Sequence, residues 1–283
     1  MMQDLMDRFV TWASEQPNIR GGTVLGSHAR TQTPADTLSD LDLAVVVQDP
    51  RVYLSDVAWL RTFGEPRLTF LEPTAVGGFR ERRVLFKDGR AIDFSFVPVT
   101  AVQQMLNQQI PIAIANVFRR GFIILIDKDR LMERWTDSTG WPKKTDEQPS
   151  ESYWRETTDD FLFHVVLAAR KARRGELWVA TSSCNGYLQN LLLRLIEWYS
   201  QLNGERDTWH KGRFMERWAG PAVIADLPNT LAGYTLADVQ RALLANLQFY
   251  EKFGRQVAVG FGYNFPDDAY HFATEQVQRV FQS

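Results

Sequence analysis

The segment DLDLAVVV, residues 40–47, places two aspartates, Asp40 and Asp42, in a run that is otherwise apolar. Its aliphatic and β-branched residues predict a strand. Because successive side chains of a strand point to opposite faces, Leu41, Leu43 and Val45 share one face and predict a core there. The two aspartates share the other face. The segment therefore predicts a sheet with a buried face and a polar site opposite it.

Two carboxylates held side by side on one strand repel each other, and ionising both is unfavourable. A divalent cation between them removes this penalty. Mg²⁺ prefers carboxylate oxygens and usually takes phosphate and water as its other ligands. Asp40 and Asp42 are therefore predicted metal ligands of a site for Mg²⁺ and a nucleotide.

A Gly-Ser pair ends the preceding apolar run and supports the same interpretation. Gly26 lets backbone N–H groups approach a phosphate, Ser27 adds a hydroxyl donor, and Arg30 is a nearby cation. If residues 27–32 form a helix, the positive end of its dipole faces the same anion. The segment is not a P-loop, because no G-x-x-x-x-G-K follows.

A third carboxylate lies in the alternating run GRAIDFSFVPV. Ile92, Phe94 and Phe96 predict its core face, so Asp93 is expected to point outward on the same sheet. Two metal ions bridged by such carboxylates can hold a triphosphate and an attacking hydroxyl in line. Asp93 is predicted to bind the second metal ion, to act as general base on the hydroxyl, or to do both.

The spacing of apolar residues changes along the chain. Short strand-like runs occupy residues 19–99, a polar stretch rich in helix and strand breakers covers residues 135–150, and helical periodicity follows. We predict an α+β protein with two domains. Residues 1–135 form an α/β domain with a mixed sheet, residues 150–283 form a helical-bundle domain, and a cleft lies between them.

Composition excludes several classes of protein. The net charge of −2 gives no overall basic field for nucleic acid. One cysteine, Cys184, excludes an intramolecular disulfide and fits a reducing compartment. The apolar runs are shorter than the ~20 residues of a membrane span, and the first residues do not form a signal-peptide pattern. A cytoplasmic location with no membrane partner is expected.

These residues resemble the active site of the nucleotidyltransferase superfamily whose fold is shared with DNA polymerase beta. Within it, the whole chain is similar to the aminoglycoside 6-adenylyltransferases, through its length and the segments DGRAIDFSFVPV, AARKARRGELW, LLLRLIEWYS and DTWHKGRFMERWA. It departs from that pattern at His28, where arginine is common, and at Leu41, where an aromatic residue is common. The resemblance implies transfer of AMP from ATP to a hydroxyl of an aminoglycoside such as streptomycin, with release of pyrophosphate.

The resemblance also implies that the helical domain supplies cations to the triphosphate. Lys171 and Lys211 are the candidates, although a solvated helix end equally explains Lys171. Glu156, Asp159 and Asp160 are candidates for binding a polycationic acceptor. Asp159 and Asp160 are expected early in a helix, where they would also complement its dipole.

Two other functions remain open at this point. One is a nucleotidyltransferase of the toxin-system type that modifies a protein or an RNA, although the chain shows no strong basic stripe for RNA. The other is a non-catalytic module that senses nucleotides. Retention of all three carboxylates disfavours the sensor, because simple binding does not require their mutual repulsion.

Overall fold

The computed structural model describes residues 2–30, 35–136, 141, 148–204, 208 and 210–282. The chain divides into two compact units, Met1–Thr145 and Asp146–Ser283. Most of the predicted linker, residues 135–150, lies outside the described residues.

The first unit contains a six-stranded mixed sheet. Its strands are β1 (Ile19–Leu25), β2 (Leu41–Val47), β3 (Pro66–Pro73), β4 (Arg80–Phe86), β5 (Ala91–Pro98) and β6 (Ile123–Asp127), in the spatial order β3-β4-β5-β2-β1-β6. β2 and β5 are parallel, whereas every other neighbouring pair is antiparallel. The parallel pair lies in the centre, which brings the segments that carry Asp42 and Asp93 side by side.

One face of this sheet is covered by α1 (Met2–Glu15), α2 (Arg51–Ser55) and a 3₁₀ helix (Ala58–Thr62). Their buried residues pack against the core face of β2, β4 and β5. The core on this face includes Leu5, Phe9, Trp12, Tyr53, Leu60, Leu41, Leu43, Val45, Ile92, Phe94 and Phe96. The alternation predicted for β2 and β5 is therefore confirmed.

Among the described residues of the first unit, a buried cluster of α3 (Val99–Asn107), α4 (Ile112–Arg119) and α5 (Leu131–Thr136) packs against one end of the opposite face. These helices pack against Val46, and Val97 joins the same cluster. Asp42 and Asp93 lie on this face too, four residues earlier in the same strands. The helices therefore leave the end of the sheet that carries the aspartates to polar residues.

The described part of the second unit is built from helices. They are α6 (Glu151–Arg173), α7 (Leu177–Ser182), a π-helical turn (Ser183–Tyr187), α8 (Leu188–Leu202), a 3₁₀ turn (His210–Gly212), α9 (Met215–Trp218), α10 (Pro221–Asp226), a 3₁₀ turn (Leu227–Thr230), α11 (Leu236–Phe261) and α12 (Asp267–Gln282). Together with the mixed sheet of the first unit, they confirm the predicted α+β fold class.

Capping residues and a buried pair of aromatic rings stabilise the helices of the second unit. Ser150 Oγ accepts the backbone N–H of Tyr153 at the start of α6, and a left-handed glycine, Gly262, ends α11. In the core, the rings of Phe161 and Tyr250 stack with centroids 4.1 Å apart. No described helix is both long enough and apolar enough to cross a membrane.

Candidate active site

Three carboxylates gather where β2 and β5 lie side by side. Asp42 and Asp93 are directly paired across the parallel strands, and Asp40 immediately precedes β2. One oxygen from each carboxylate can be chosen so that all three lie within 4.8 Å of one another. The parallel register explains this arrangement, because it aligns the second residue of β2 with the third residue of β5.

Asp93 is less exposed than its sequence pattern predicts. Its side chain points away from the core face, but the residue is only 5% exposed. Burial, the largest cause, raises the pKa of Asp93 to about 7; Arg83 opposes this shift, and Asp40 and Asp42 add to it. Asp93 therefore lies on the face away from the core, as its alternation with Ile92 and Phe94 predicts, and charged neighbours on that face bury it.

The turn after β1 brings backbone and hydroxyl groups to the carboxylates. Gly26–Ala29 form one 3₁₀ turn, and Arg30 follows with extended backbone and a half-buried side chain. Gly26 has a φ of +67°, and a Cβ there would overlap the Asp42 carboxylate. Residues 27–30 therefore do not start the helix that we considered for residues 27–32, and residues 31–34 lie outside the described part. Individual N–H groups of this turn, rather than a helix dipole, would contact an anion.

The structure also shows a charged network that the sequence reasoning missed. Arg83 Nη2 lies 3.2 Å from Asp93 Oδ2, and Arg83 Nε lies 3.1 Å from Glu81 Oε1. Arg83 also pairs with Glu72. Ser95 Oγ donates a hydrogen bond of 3.1 Å to Glu81 Oε2. Arg83 therefore links Asp93 to two further carboxylates on the same face.

A signal for this network is present in the sequence. Asp88-Gly89 lies between two strand-like runs, which is typical of a hairpin turn. In the structure Gly89 has a φ of +84°, and Phe86 N–H donates to the carbonyl of residue 90 over 2.9 Å. Counting back from this turn places Arg83 opposite Asp93, which is the observed register.

The residues of this site fit a divalent metal ion and a phosphate. Among the described residues, the buried atoms Ser27 Oγ, His28 Nε2 and Asp93 Oδ2 have no hydrogen-bond partner, although Arg83 lies within ion-pair distance of Asp93. Buried polar atoms normally find a partner. Three carboxylates with oxygens within 4.8 Å of one another form the hard oxygen donor set that Mg²⁺ prefers, and the hydroxyl and ring nitrogen suit a polar ligand beside it.

The two candidate lysines of the second unit have different surroundings. Lys171, near the end of α6, is half-buried, and its Nζ lies 2.6 Å from Glu176 Oε2. Its hydrogen bond holds the pKa of Glu176 below the usual value. Lys211 is exposed in the turn between α8 and α9, with a left-handed backbone (φ 56°, ψ 36°) that is rare outside glycine. The binding roles of both lysines remain predictions.

The three candidate acceptor-binding acids all lie on α6. Glu156 and Asp159 are exposed, and Asp160 is half-buried. α6 begins at Glu151, so Asp159 and Asp160 lie in its third turn, too far from the N-terminus to complement the dipole. The expectation that these two aspartates lie early in a helix is therefore wrong.

Asp160 has partners that the sequence did not reveal. Tyr187 Oη donates to both of its carboxylate oxygens over 3.0 Å, and His164 Nδ1 lies 2.6 Å from its Oδ1. Tyr187 ends the π-helical turn Ser183–Tyr187, a distortion that is frequent at functional sites. The π-helical turn changes the direction of the side chains around it, which helical periodicity alone cannot predict.

Comparisons of the sequence with known proteins agree on one family. A sequence model of the family described as streptomycin adenylyltransferase matches residues 1–280. The aminoglycoside 6-adenylyltransferase of Bacillus subtilis (strain 168) is 23% identical over 277 residues, which cover 94% of this chain and 93% of that protein. The aminoglycoside 6-adenylyltransferase of Campylobacter jejuni is 24% identical over 207 residues, which cover 69% and 66% of the two chains. The solved aminoglycoside 6-adenyltransferase from Bacillus subtilis aligns with 100% of this chain and 99% of that chain, at 19% identity and a TM-score of 0.48.

Proposed function

This chain belongs to the streptomycin adenylyltransferase family and is a nucleotidyltransferase, and from that premise we propose that it transfers AMP from Mg-ATP to a hydroxyl of an aminoglycoside, with streptomycin as the first candidate. One observation supports the proposal most directly. The carboxylate oxygens of Asp40, Asp42 and Asp93 lie within 4.8 Å of one another, beside the turn of Gly26 and Ser27.

In the proposed reaction, the acceptor oxygen forms a bond to the α-phosphorus of ATP, and the bond from that phosphorus to the pyrophosphate oxygen breaks. Asp40 and Asp42, with Asp93, would hold Mg²⁺, which supplies positive charge to the phosphate oxygens when bound. The N–H groups beside Gly26 and the Ser27 hydroxyl orient the phosphates. The nearby Arg30 adds positive charge to the same end of the site.

Asp93 is assigned to the acceptor side of the site. It lies on β5, one strand further than Asp42 from the turn that follows β1. A carboxylate in that position accepts the proton that the hydroxyl loses as its oxygen attacks. Pyrophosphate leaves on the side of Gly26 and Ser27.

The candidate residues of the second unit keep the binding roles that the sequence resemblance implies for them. Lys171 and Lys211 would add charge-assisted contacts to the triphosphate. Glu156, Asp159 and Asp160 would pair with cationic groups of the acceptor. Guanidinium groups, such as those of streptomycin, form bidentate pairs with carboxylates.

The test is incubation of the purified chain with Mg-ATP and a panel of aminoglycosides, followed by mass spectrometry of each small molecule. We expect streptomycin to gain one AMP group and pyrophosphate to appear in equal amount. If another aminoglycoside is modified while streptomycin is not, the choice of streptomycin is wrong. If no small molecule in a broad panel gains AMP, aminoglycoside transfer itself is refuted.

A further inference from the structure

A single row of side chains crosses the sheet at the carboxylates. Asp42 on β2 is paired with Asp93 on β5, which is paired with Arg83 on β4, which is paired with Phe70 on the edge strand β3. Paired residues share one face of a sheet, so all four side chains lie on the face of the candidate active site. Neighbouring strands are about 4.8 Å apart, so Phe70 begins roughly 10 Å from Asp93.

The two ends of this row are expected to hold different groups of the substrates, because the reaction proposed above is an in-line displacement. The attacking oxygen and the leaving pyrophosphate must lie on opposite sides of the phosphorus atom. The turn of Gly26 and Ser27, assigned to the phosphates, lies at the β1 end of the row. The acceptor must therefore approach over the other end, where β4 and β3 lie.

The surface at that end is apolar and exposed. Leu68 is 64% exposed, Phe70 54% and Leu85 39%. Leu68 and Leu85 are directly paired, so the three side chains form one continuous patch across β3 and β4. Continuous exposed apolar patches commonly mark binding sites.

Arg83 lies between Phe70 and Asp93, and two acidic residues flank this row on the side away from Leu68 and Leu85. Glu72 and Glu81 are paired across β3 and β4 on the same face, two residues along from Phe70 and Arg83. Arg83 contacts both glutamates and Asp93. The two glutamates outnumber the one guanidinium, so this end of the row has an excess of negative charge.

We propose that Leu68, Phe70 and Leu85, with Glu72 and Glu81 on the other side of Phe70, form the acceptor-binding surface of the enzyme. The inference rests on the proposed function and adds the place where the acceptor binds. The apolar faces of the acceptor rings lie against Phe70 and the two leucines, and an aromatic face also attracts ammonium or guanidinium groups. The negative charge of the glutamates favours a polycation over a neutral sugar. The matching occupant is a cationic aminocyclitol of several linked rings, one hydroxyl of which reaches Asp93.

The test compares three single variants in steady-state transfer to the aminoglycoside that wild type modifies. Phe70→Ala is expected to raise the KM for the acceptor about tenfold, with kcat and the KM for ATP within twofold of wild type. Phe70→Tyr keeps the ring and should keep the acceptor KM within twofold. Phe272→Ala, which removes a 62% exposed phenylalanine from α12, is the matched control and should change nothing.

Equal kinetics for Phe70→Ala and Phe272→Ala, while wild type modifies the acceptor normally, would overturn this inference and leave the proposed function intact. Absence of transfer by wild type to any small acceptor would overturn both. Sedimentation of the same proteins tests whether the patch instead pairs two copies through the edge of β3. A change of oligomeric state in Phe70→Ala without a change of acceptor KM would assign the patch to that contact and refute the acceptor surface.

Discussion

The carboxylate of Asp42 occupies the space that a side chain at Gly26 would need. A Cβ at Gly26 would overlap Asp42 Oδ2, and the φ of +67° at Gly26 already disfavours other residues. The turn after β1 and the first aspartate of β2 are thus packed against each other without a gap. Any ligand of Asp42 lies within reach of the backbone of this turn.

Gly26→Ala should therefore abolish transfer by displacing the Asp42 carboxylate. We expect a fall of about 100-fold or more in kcat, since a misplacement of about 1 Å is enough for a loss of that size. Gly78→Ala is a matched control, because Gly78 has the same φ of +67° but no atom within 4 Å of its missing Cβ. It should lower stability by about 1 kcal/mol and leave kcat unchanged. Similar kinetics for the two variants would show that the contact with Asp42 is unimportant.

Asp42→Asn should remove a metal ligand while leaving the fold intact. Transfer is expected to fall at least about 100-fold at saturating Mg²⁺, because several kcal/mol of charge stabilisation depend on the bound ion. Without metal, the melting temperature should hold or rise, because repulsion from Asp40 disappears. Asp4→Asn, which changes a surface carboxylate paired with Arg8, is the control. A loss of less than tenfold with an unchanged circular dichroism spectrum would argue against the role of Asp42 as a metal ligand.

The raised pKa of Asp93 predicts how stability depends on pH without metal. Folding raises this pKa from an ordinary 3.8 to about 7, so the folded protein holds the proton more tightly than the unfolded chain. Wild type should therefore lose stability relative to Asp93→Asn as the pH rises from about 4 to about 7. We expect the variant to be more stable by at least ~1 kcal/mol at pH 7.5, and the difference to shrink toward pH 4. Urea unfolding with a chelator measures it, and a constant difference across that range would contradict the raised pKa.

Lys211→Ala should weaken binding of a non-hydrolysable ATP analogue more than binding of the acceptor. Loss of one charge-assisted contact is worth roughly 1.5–3 kcal/mol, or about 10- to 150-fold in Kd. Calorimetry on Lys211→Ala and Lys171→Ala tests the two candidates separately. Lys252→Ala, which breaks a surface ion pair with Asp226, is the control. A change of less than twofold would make the tested lysine an ordinary surface residue.

Asp160→Asn should raise the KM for streptomycin about tenfold without changing the KM for ATP. Asparagine keeps an oxygen for the hydroxyl of Tyr187, so the variant removes the charge and preserves the local structure. The wild-type affinity should also fall as salt rises, whereas that of the variant should depend less on salt. Asp268→Asn on α12 is the control. An unchanged KM would remove Asp160 from the acceptor site.

Part of the site follows from local rules that the sequence alone reveals. The period of two along a strand is a property of the backbone, so the common face of Asp40 and Asp42 follows directly from their spacing. The same rule places Asp93 and Phe94 on opposite faces of their strand. The change to helical periodicity after residue 150 predicts the α+β class, because helices and strands bury their apolar residues at different spacings.

The tertiary structure determined which neighbours these site residues contact. The pairing of Asp42 with Asp93 depends on the register of two strands more than 40 residues apart, and that register is set by packing on the core face. Burial and Arg83 then determine the pKa of Asp93, and the π-helical turn determines that Tyr187 meets Asp160. A periodic sequence pattern specifies the face on which a side chain lies. The neighbours on that face come from distant segments, and only the packing of the whole unit brings them together.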